Sequence, residues 1–271
     1  MRTTNSRFQP TDAVLDIPLP LAETLYPSDL TASQLRAAIV MLSRVNADGR
    51  FEILKTQLEA AAELRIDNGT RFLAPIIDSL IGGLSGDPEP WFDDVEYKPG
   101  IRRQTAGIIT GTLSSYGHYH MRLDRGFVPI RVDEFRSYSS VHAILLRLRV
   151  GAWFHRQAGV KQIKIRMQSE DVYAIFGDYC RTARRQRPDG DFEITLGRLL
   201  QAVLVPAAEQ INAVCNDYSV GLSARRKAVG AVGRALQHVD IVVNRLEDRA
   251  TLKDLVKASR YRDRVQKLKR V

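Results

Sequence analysis

The chain has 271 residues, 44% hydrophobic and 26% charged, enough for two domains that each bury a core. No apolar run approaches a membrane span, Met1–Arg7 leads into no apolar secretion core, and two cysteines cannot make a disulfide framework. Neither a membrane protein nor a disulfide-stapled secreted one is expected, and the cysteine usage fits a reducing cytoplasm. The net charge of +9 is unevenly divided: residues 1–130 hold 13 Lys+Arg against 16 Asp+Glu, and residues 131–271 hold 27 against 15. A half charged in this way attracts a polyanion, and nucleic acid is the one expected.

Met1–Ser28, with Pro10, Pro18, Pro20 and Pro27 and no clear period, reads as a flexible leader. Thr31-Ala32-Ser33-Gln34 is a capping-box pattern. Leu35, Ala38, Ile39, Leu42 and Val45 follow at helical spacing, and Asn46-Ala47-Asp48-Gly49 stops the helix. Phe51–Leu54 reads as a short strand, and Gln57–Arg65 as a second helix of strong helix formers. Asp67-Asn68-Gly69-Thr70 is a turn that opens a third helix, Arg71–Ile81, ended by Gly82-Gly83. Pro88–Pro99 is acidic and carries Trp91 and Phe92. From Ile101 to Val132 the pattern is β-like, with Gly107, Gly111, Gly117 and Gly126 as turns or bulges.

Ser139-Ser140 precedes a long helix through Val141, Leu145, Leu146, Leu148, Val150 and Trp153, ending near Gln157-Ala158-Gly159. A strand (Val160–Ile165) and a short helix (Ser169–Phe176) come next. The loop Arg181–Pro188 then places four arginines, Arg181, Arg184, Arg185 and Arg187, within seven residues and with no acid among them. Thr195–Cys215 is a long helix whose Leu196, Leu199, Leu200, Val203, Ala207, Ile211 and Val214 form one apolar face. Tyr218–Leu222 and Ala235–Val243 read as a hairpin joined through Ser223–Lys227. The tail Arg245–Val271 has ten Lys+Arg against four Asp+Glu and reads as a helix with nucleic-acid contact.

The order helix, strand, helix, helix, strands occurs twice. The simplest α+β architecture with that order is two tandem winged-helix-like domains, at residues 29–132 and 133–243, between the leader 1–28 and a basic tail 244–271. In the second domain Arg198 and Gln201 lie on the polar side of the long helix, beside Thr195 and Gly197. If that helix enters a major groove, Arg198 suits guanine O6/N7 and Gln201 adenine N6/N7; a merely solvated helix face is the other reading. Arg181, Arg184, Arg185 and Arg187 are phosphate candidates because guanidinium forks match phosphate oxygens. Arg225, Arg226 and Lys227 hold the wing's place at a hairpin tip. Arg71, Arg102 and Arg103 are the candidate DNA contacts of the first domain.

With this order, Leu30-Thr31, Tyr138-Ser139-Ser140, Leu145-Leu146-Arg147-Leu148 and Val203-Leu204-Val205-Pro206-Ala207-Ala208-Glu209-Gln210-Ile211-Asn212 resemble the plasmid replication initiators that bind iteron repeats. The resemblance in element order covers about residues 29–243. It implies binding of double-stranded origin repeats, recruitment of host initiator and helicase proteins, and a homodimer in equilibrium with monomer. It also implies that the second domain does most of the reading, while the first serves dimerisation and some DNA contact. The chain departs from the family at two places. The reader helix begins Thr195-Leu196-Gly197-Arg198 instead of with a basic run, and Leu145–Arg149 replaces a Leu-Tyr-Glu-Leu-Leu type stretch.

A transcriptional repressor with the same reader is the non-enzymatic alternative. The enzymatic one rests on His118-Tyr119-His120: on a strand, both imidazoles share a face, as in the metal site of rolling-circle nickases, with Tyr138, Tyr173 or Tyr179 as nucleophile. No G-x-x-x-x-G-K-[ST] segment is present, and Gly230-Ala231-Val232-Gly233-Arg234 lacks its lysine. The expectation is a DNA-binding protein that is not an enzyme and has no cofactor, metal or membrane partner.

Overall fold

Residues 14–25, 30–46, 48–66, 68–82, 90–100, 107–121, 126–157, 159–186, 192–229 and 233–246 are described by the computed structural model. It divides into two units, Met1–His155 and Arg156–Val271. The first runs β1 (Val14–Pro18), α1 (Leu19–Thr24), α2 (Ala32–Leu42), β2 (Arg50–Leu54), α3 (Lys55–Ala62) and α4 (Gly69–Gly82). It continues with β3 (Phe92–Lys98), β4 (Ile108–Leu113), α5 (Ser115–His120), β5 (Phe127–Arg131), α6 (Val132–Ser137) and α7 (Val141–Arg156). An antiparallel sheet in the order β2-β4-β3 closes the helix–strand–helix–helix–hairpin set, and β1 pairs with β5.

The start of α2 forms as its capping box dictates: Thr31 Oγ1 accepts from the Gln34 N–H, and Gln34 Oε1 accepts from the Thr31 N–H at 3.0 Å. The leader reading fails between residues 14 and 25. There Leu15, Ile17, Leu21 and Leu25 are fully buried, and β1 runs antiparallel to β5 from Val14↔Arg131 to Pro18↔Phe127. Pro18 and Pro20 signalled a loop, yet they stand at the N-cap and first turn of α1, where a helix has no N–H bond to lose. Residues 1–13 lie outside the described ones.

One further expectation is corrected, at His118, and one segment without an assigned element takes shape. Phe92–Lys98 is a strand despite its three acids, Asp93, Asp94 and Glu96. It is an edge strand, where charge is tolerated and discourages pairing with another chain. His118-Tyr119-His120 belongs to the helix α5, capped by Ser114, whose Oγ accepts from the Gly117 N–H at 3.0 Å.

The long helix α7 runs to the end of the first unit. Almost every α7 residue from Val141 to Phe154 is buried, Arg147 and Arg149 included. The Arg147 Nε donates to Glu134 Oε1 at 2.5 Å, and the Tyr138 hydroxyl donates to the same oxygen at 2.6 Å. The Arg149 Nη1 donates to the Ala22 carbonyl at 2.9 Å. Burial lowers Arg149 to about 10, with Glu23 opposing, so it remains a cation at neutral pH.

The second unit runs β6 (Gln162–Met167), α8 (Ser169–Phe176), a 3₁₀ turn (Gly177–Ala183), β7 (Arg185–Gln186) and β8 (Phe192–Glu193). A continuous helix follows, made of α9 (Leu196–Leu199), a π segment (Leu200–Leu204) and α10 (Val205–Val214). The hairpin β9 (Tyr218–Val229) and β10 (Gly233–Arg245) ends the described part. The sheet order is β6-β10-β9, so its first strand pairs with its third and its third with its second, as in the β2-β4-β3 sheet. Ile163 and Met167, Val220 and Leu222, and Val239, Ile241 and Val243 turn inward onto the helices.

Candidate nucleic-acid interface

Thr195 is the N-cap of α9, its Oγ1 accepting from the Arg198 N–H at 3.4 Å. The apolar face expected from the sequence is buried at Leu196, Leu199, Val203, Ala207 and Ile211, while Leu200 and Val214 are half-buried. Carrying that face back from Ile211 through Ala207 and Leu204 by steps of four and three arrives at Leu200 and Gly197. The residues buried there are Leu199 and Leu196, one position early.

The slip is the π segment. Pro206 has no N–H, and in an α-helix its ring meets the carbonyl four residues back. The helix makes one wide turn instead, in which the Val205 N–H bonds to the Leu200 carbonyl. One residue of slip turns the N-terminal half by about 100° about the helix axis. It brings Leu196 and Leu199 inward and leaves Thr195, Arg198, Gln201 and Ala202 exposed together. Spacing of three and four residues puts Arg198, Gln201 and Ala202 on one face.

The basic borders lie as follows. Arg181 is exposed in the 3₁₀ turn, and its Nη2 pairs with Asp178 Oδ1 at 2.9 Å, so one of the four arginines is partly neutralised by an acid that precedes the cluster. Arg184 is exposed, and its carbonyl accepts from Arg198 Nη1 at 3.5 Å, linking border to reader. Arg185 stands in β7 opposite Glu193. Arg187 lies outside the described residues.

Arg225, Arg226 and Lys227 are not a hairpin tip: the ladder pairs Arg225 with His238, Arg226 with Leu236 and Lys227 with Ala235, across a bulge between Leu236 and His238. The ladder of β9 and β10 extends past the expected strand ends at Leu222 and Ala235. Arg225 is exposed. In the first unit Arg71 is exposed in the first turn of α4, and Arg102 and Arg103 lie outside the described residues, as does the tail after Leu246.

Two positioning residues went unassigned in the sequence. Asn212 of α10 donates from Nδ2 to the Val220 carbonyl at 2.8 Å and accepts the Val220 N–H at 2.7 Å, which fixes the start of β9 to the helix. Pro206, six residues before it, sets the π turn. Both lie in the segment that carries the resemblance, and nothing in their spacing indicates these roles.

Charge is unevenly divided between the units. Counted by structural unit, residues 1–155 hold 17 Lys+Arg against 18 Asp+Glu, and residues 156–271 hold 23 against 13. On the outer face of the second sheet, Lys164 Nζ and Arg166 Nε meet Asp240 at 3.0 and 3.3 Å.

The geometry required by a His-x-His metal site is absent from α5, where residues two apart diverge by about 200°. The His118 ring instead lies over Gly49 (φ +74°), where a Cβ would stand 2.1 Å from His118 Cε1. Of the three tyrosines weighed as nucleophiles, Tyr138 is fully buried, Tyr179 half-buried and Tyr173 exposed on α8. Among the described residues no helix is long and apolar enough to cross a membrane.

Two units of this topology define a tandem winged-helix protein. That fold is shared with a Pi initiator protein solved in complex with iteron DNA, at a TM-score of 0.57 and 13% identity over 87% of this chain and 98% of that one. Domains 2 and 3 of RctB align with a TM-score of 0.47 and 10% identity over 85% and 99%. The fold resemblance expected from the sequence is thus found. No family model matches the chain. No curated protein matches it either.

Proposed function

We propose that the chain is a sequence-specific double-stranded-DNA-binding replication initiator of a plasmid, which binds origin repeats through its second unit. The observation that carries this reading is the placement of exposed Arg198 and Gln201 on the first turns of a winged-helix reader, within a unit that holds 23 Lys+Arg against 13 Asp+Glu. Such a helix reads base edges in a major groove, while Arg184, Arg185 and Arg225 at its borders supply the phosphate contacts that give affinity. The shared fold of an initiator solved on iteron DNA supports the same reading. The near-neutral first unit suits protein contact, and we assign dimerisation to it, with a homodimer in equilibrium with monomer and host replication proteins as further partners. The chemistry is binding, not bond-breaking.

Footprinting on the DNA that encodes the protein tests this. Protection of direct repeats beside an A·T-rich segment is expected. A lone inverted repeat over a promoter would make the protein a repressor, and absence of any protection would overturn DNA reading altogether.

A further inference from the structure

We propose that Gln201 and Ala202, side by side in the π turn, read an A·T pair: Gln201 by hydrogen bonds to adenine, and Ala202 by apolar contact with the thymine methyl. The inference rests on the DNA-binding reading and adds to it a specificity residue with no charge or hydrogen bond of its own.

Adjacent residues of an α-helix diverge by about 100°, so usually one of two neighbours faces a groove. In the wide turn both Gln201 and Ala202 are exposed, one turn after exposed Arg198 and before exposed Pro206. The one-residue slip is responsible, because the uninterrupted apolar period would place Leu200 on the core face, with Gln201 beside it. Ala202 is the small apolar side chain on this outward stripe ahead of Pro206, flanked by Arg198 and Gln201, whose chemistry suits base edges. Adenine offers N7 and N6 to a side-chain amide, and its partner thymine offers a C5-methyl suited to contact with an apolar group such as the alanine methyl. An exposed methyl on a reader helix, next to an amide, matches the two features that an A·T pair shows in its major groove.

The test uses the full chain and its footprinted duplex, with each thymine replaced in turn by uracil, which removes the methyl and keeps the pairing. For wild type, one position loses affinity by roughly threefold to fivefold, the worth of one buried methyl group. Ala202→Gly loses a similar factor on the thymine duplex and becomes indifferent to uracil at that position alone. Should Ala202→Gly fail to fold, Ala202→Ser turns the methyl into a hydroxymethyl group, whose polar oxygen gains nothing from the thymine methyl, and the same indifference is expected. Gln201→Ala loses its sensitivity to 7-deazaadenine at the same or a neighbouring pair. A footprint in which no uracil substitution matters, or in which the sensitive position is untouched by changing Ala202, overturns this inference and leaves DNA reading intact. Absence of a footprint removes both.

Discussion

Asn212 and Val220 are joined by two hydrogen bonds, the Asn212 amide giving one to the Val220 carbonyl at 2.8 Å and taking one from its N–H at 2.7 Å. A side chain on α10 thus does for the wing's first strand what a neighbouring strand would do. Asn212→Ala leaves both backbone groups at a buried residue without those partners, and such a loss costs about 1–3 kcal/mol. Asn212→Asp keeps the acceptor but sets a carboxylate against the Val220 carbonyl. Thermal unfolding is expected to fall for both variants, and amide exchange at Val220 to accelerate. Unchanged exchange would mean that the wing is held elsewhere.

The Glu134–Arg147 pair is fully buried on both sides, with Tyr138 on the same carboxylate. Glu134→Gln leaves a cation buried without its counter-charge, and breaking such a pair costs about 3–5 kcal/mol. Replacing both by apolar residues, as in Glu134→Leu with Arg147→Met, recovers much of that loss, because the desolvation of two charges is also removed. Denaturant unfolding of the single and double variants measures the difference. A Glu134→Gln variant as stable as wild type would show that the pair contributes nothing.

Much of this was legible in the sequence, for identifiable reasons. The capping box at Thr31 and Gln34 is a local signal satisfied by local atoms, and α8 has the bounds Ser169–Phe176 that its pattern indicates. What escaped were features decided by partners far along the chain. Residues 14–18 form a strand because β5 lies beside them, and Phe92–Lys98 because β4 does. His118 is helical because Ser114 caps the turn, although alternation with Tyr119 suggests a strand. The π slip is hidden from any period of 3.6 residues, because the apolar positions on each side of it fit a helix and only their relative phase differs. Arg225–Lys227 read as a loop because basic side chains conceal how far a solvated hairpin extends.

Asp240 provides a pH test. Burial works to raise its carboxyl, but hydrogen bonds and charge from Lys164 and Arg166 outweigh that and hold it below its ordinary 3.8. A depressed value means that the folded chain binds this proton less readily than the unfolded one. The stabilisation is therefore complete above 3.8 and lost as pH falls through the lower folded value. Lys164 and Arg166 are 57% and 60% exposed, so solvent screens the pair. Asp240→Asn is expected to cost about 0.5 kcal/mol at neutral pH, and nothing in acid well below the carboxyl's range. Melting curves for both proteins across that range check it; a difference that grows towards acid would contradict the sign.

Cys180 is fully buried, and burial, with Asp178 adding to it, pushes its thiol up to about 12. Burial therefore keeps it as the thiol at pH 8, and the thiolate is the reactive form. The native protein is expected to leave Cys180 unlabelled by a thiol reagent that modifies it at once in denaturant. Mass spectrometry of the labelled peptide reads the outcome, and rapid native labelling would place the thiol nearer the surface than α8 and the 3₁₀ turn hold it.

The arginine border should show itself in salt dependence more than in base preference. Arg184 is exposed and carries no carboxylate partner among the ion pairs described, whereas Arg181 is held by Asp178 at 2.9 Å. Each lost phosphate contact on duplex DNA lowers the slope of log affinity against log salt by about 0.9. Arg184→Ala with Arg185→Ala is therefore expected to flatten the slope by about 1.8 and to weaken all duplexes alike. Arg181→Ala changes it less, since that guanidinium already has a counter-charge. Arg198→Ala differs in kind: it costs about 1–3 kcal/mol on the footprinted repeat and little on unrelated duplex. Titrations of both duplexes at several salt concentrations separate the two behaviours. A slope left unchanged by the double variant would move the phosphate contacts from this border to the wing or the tail.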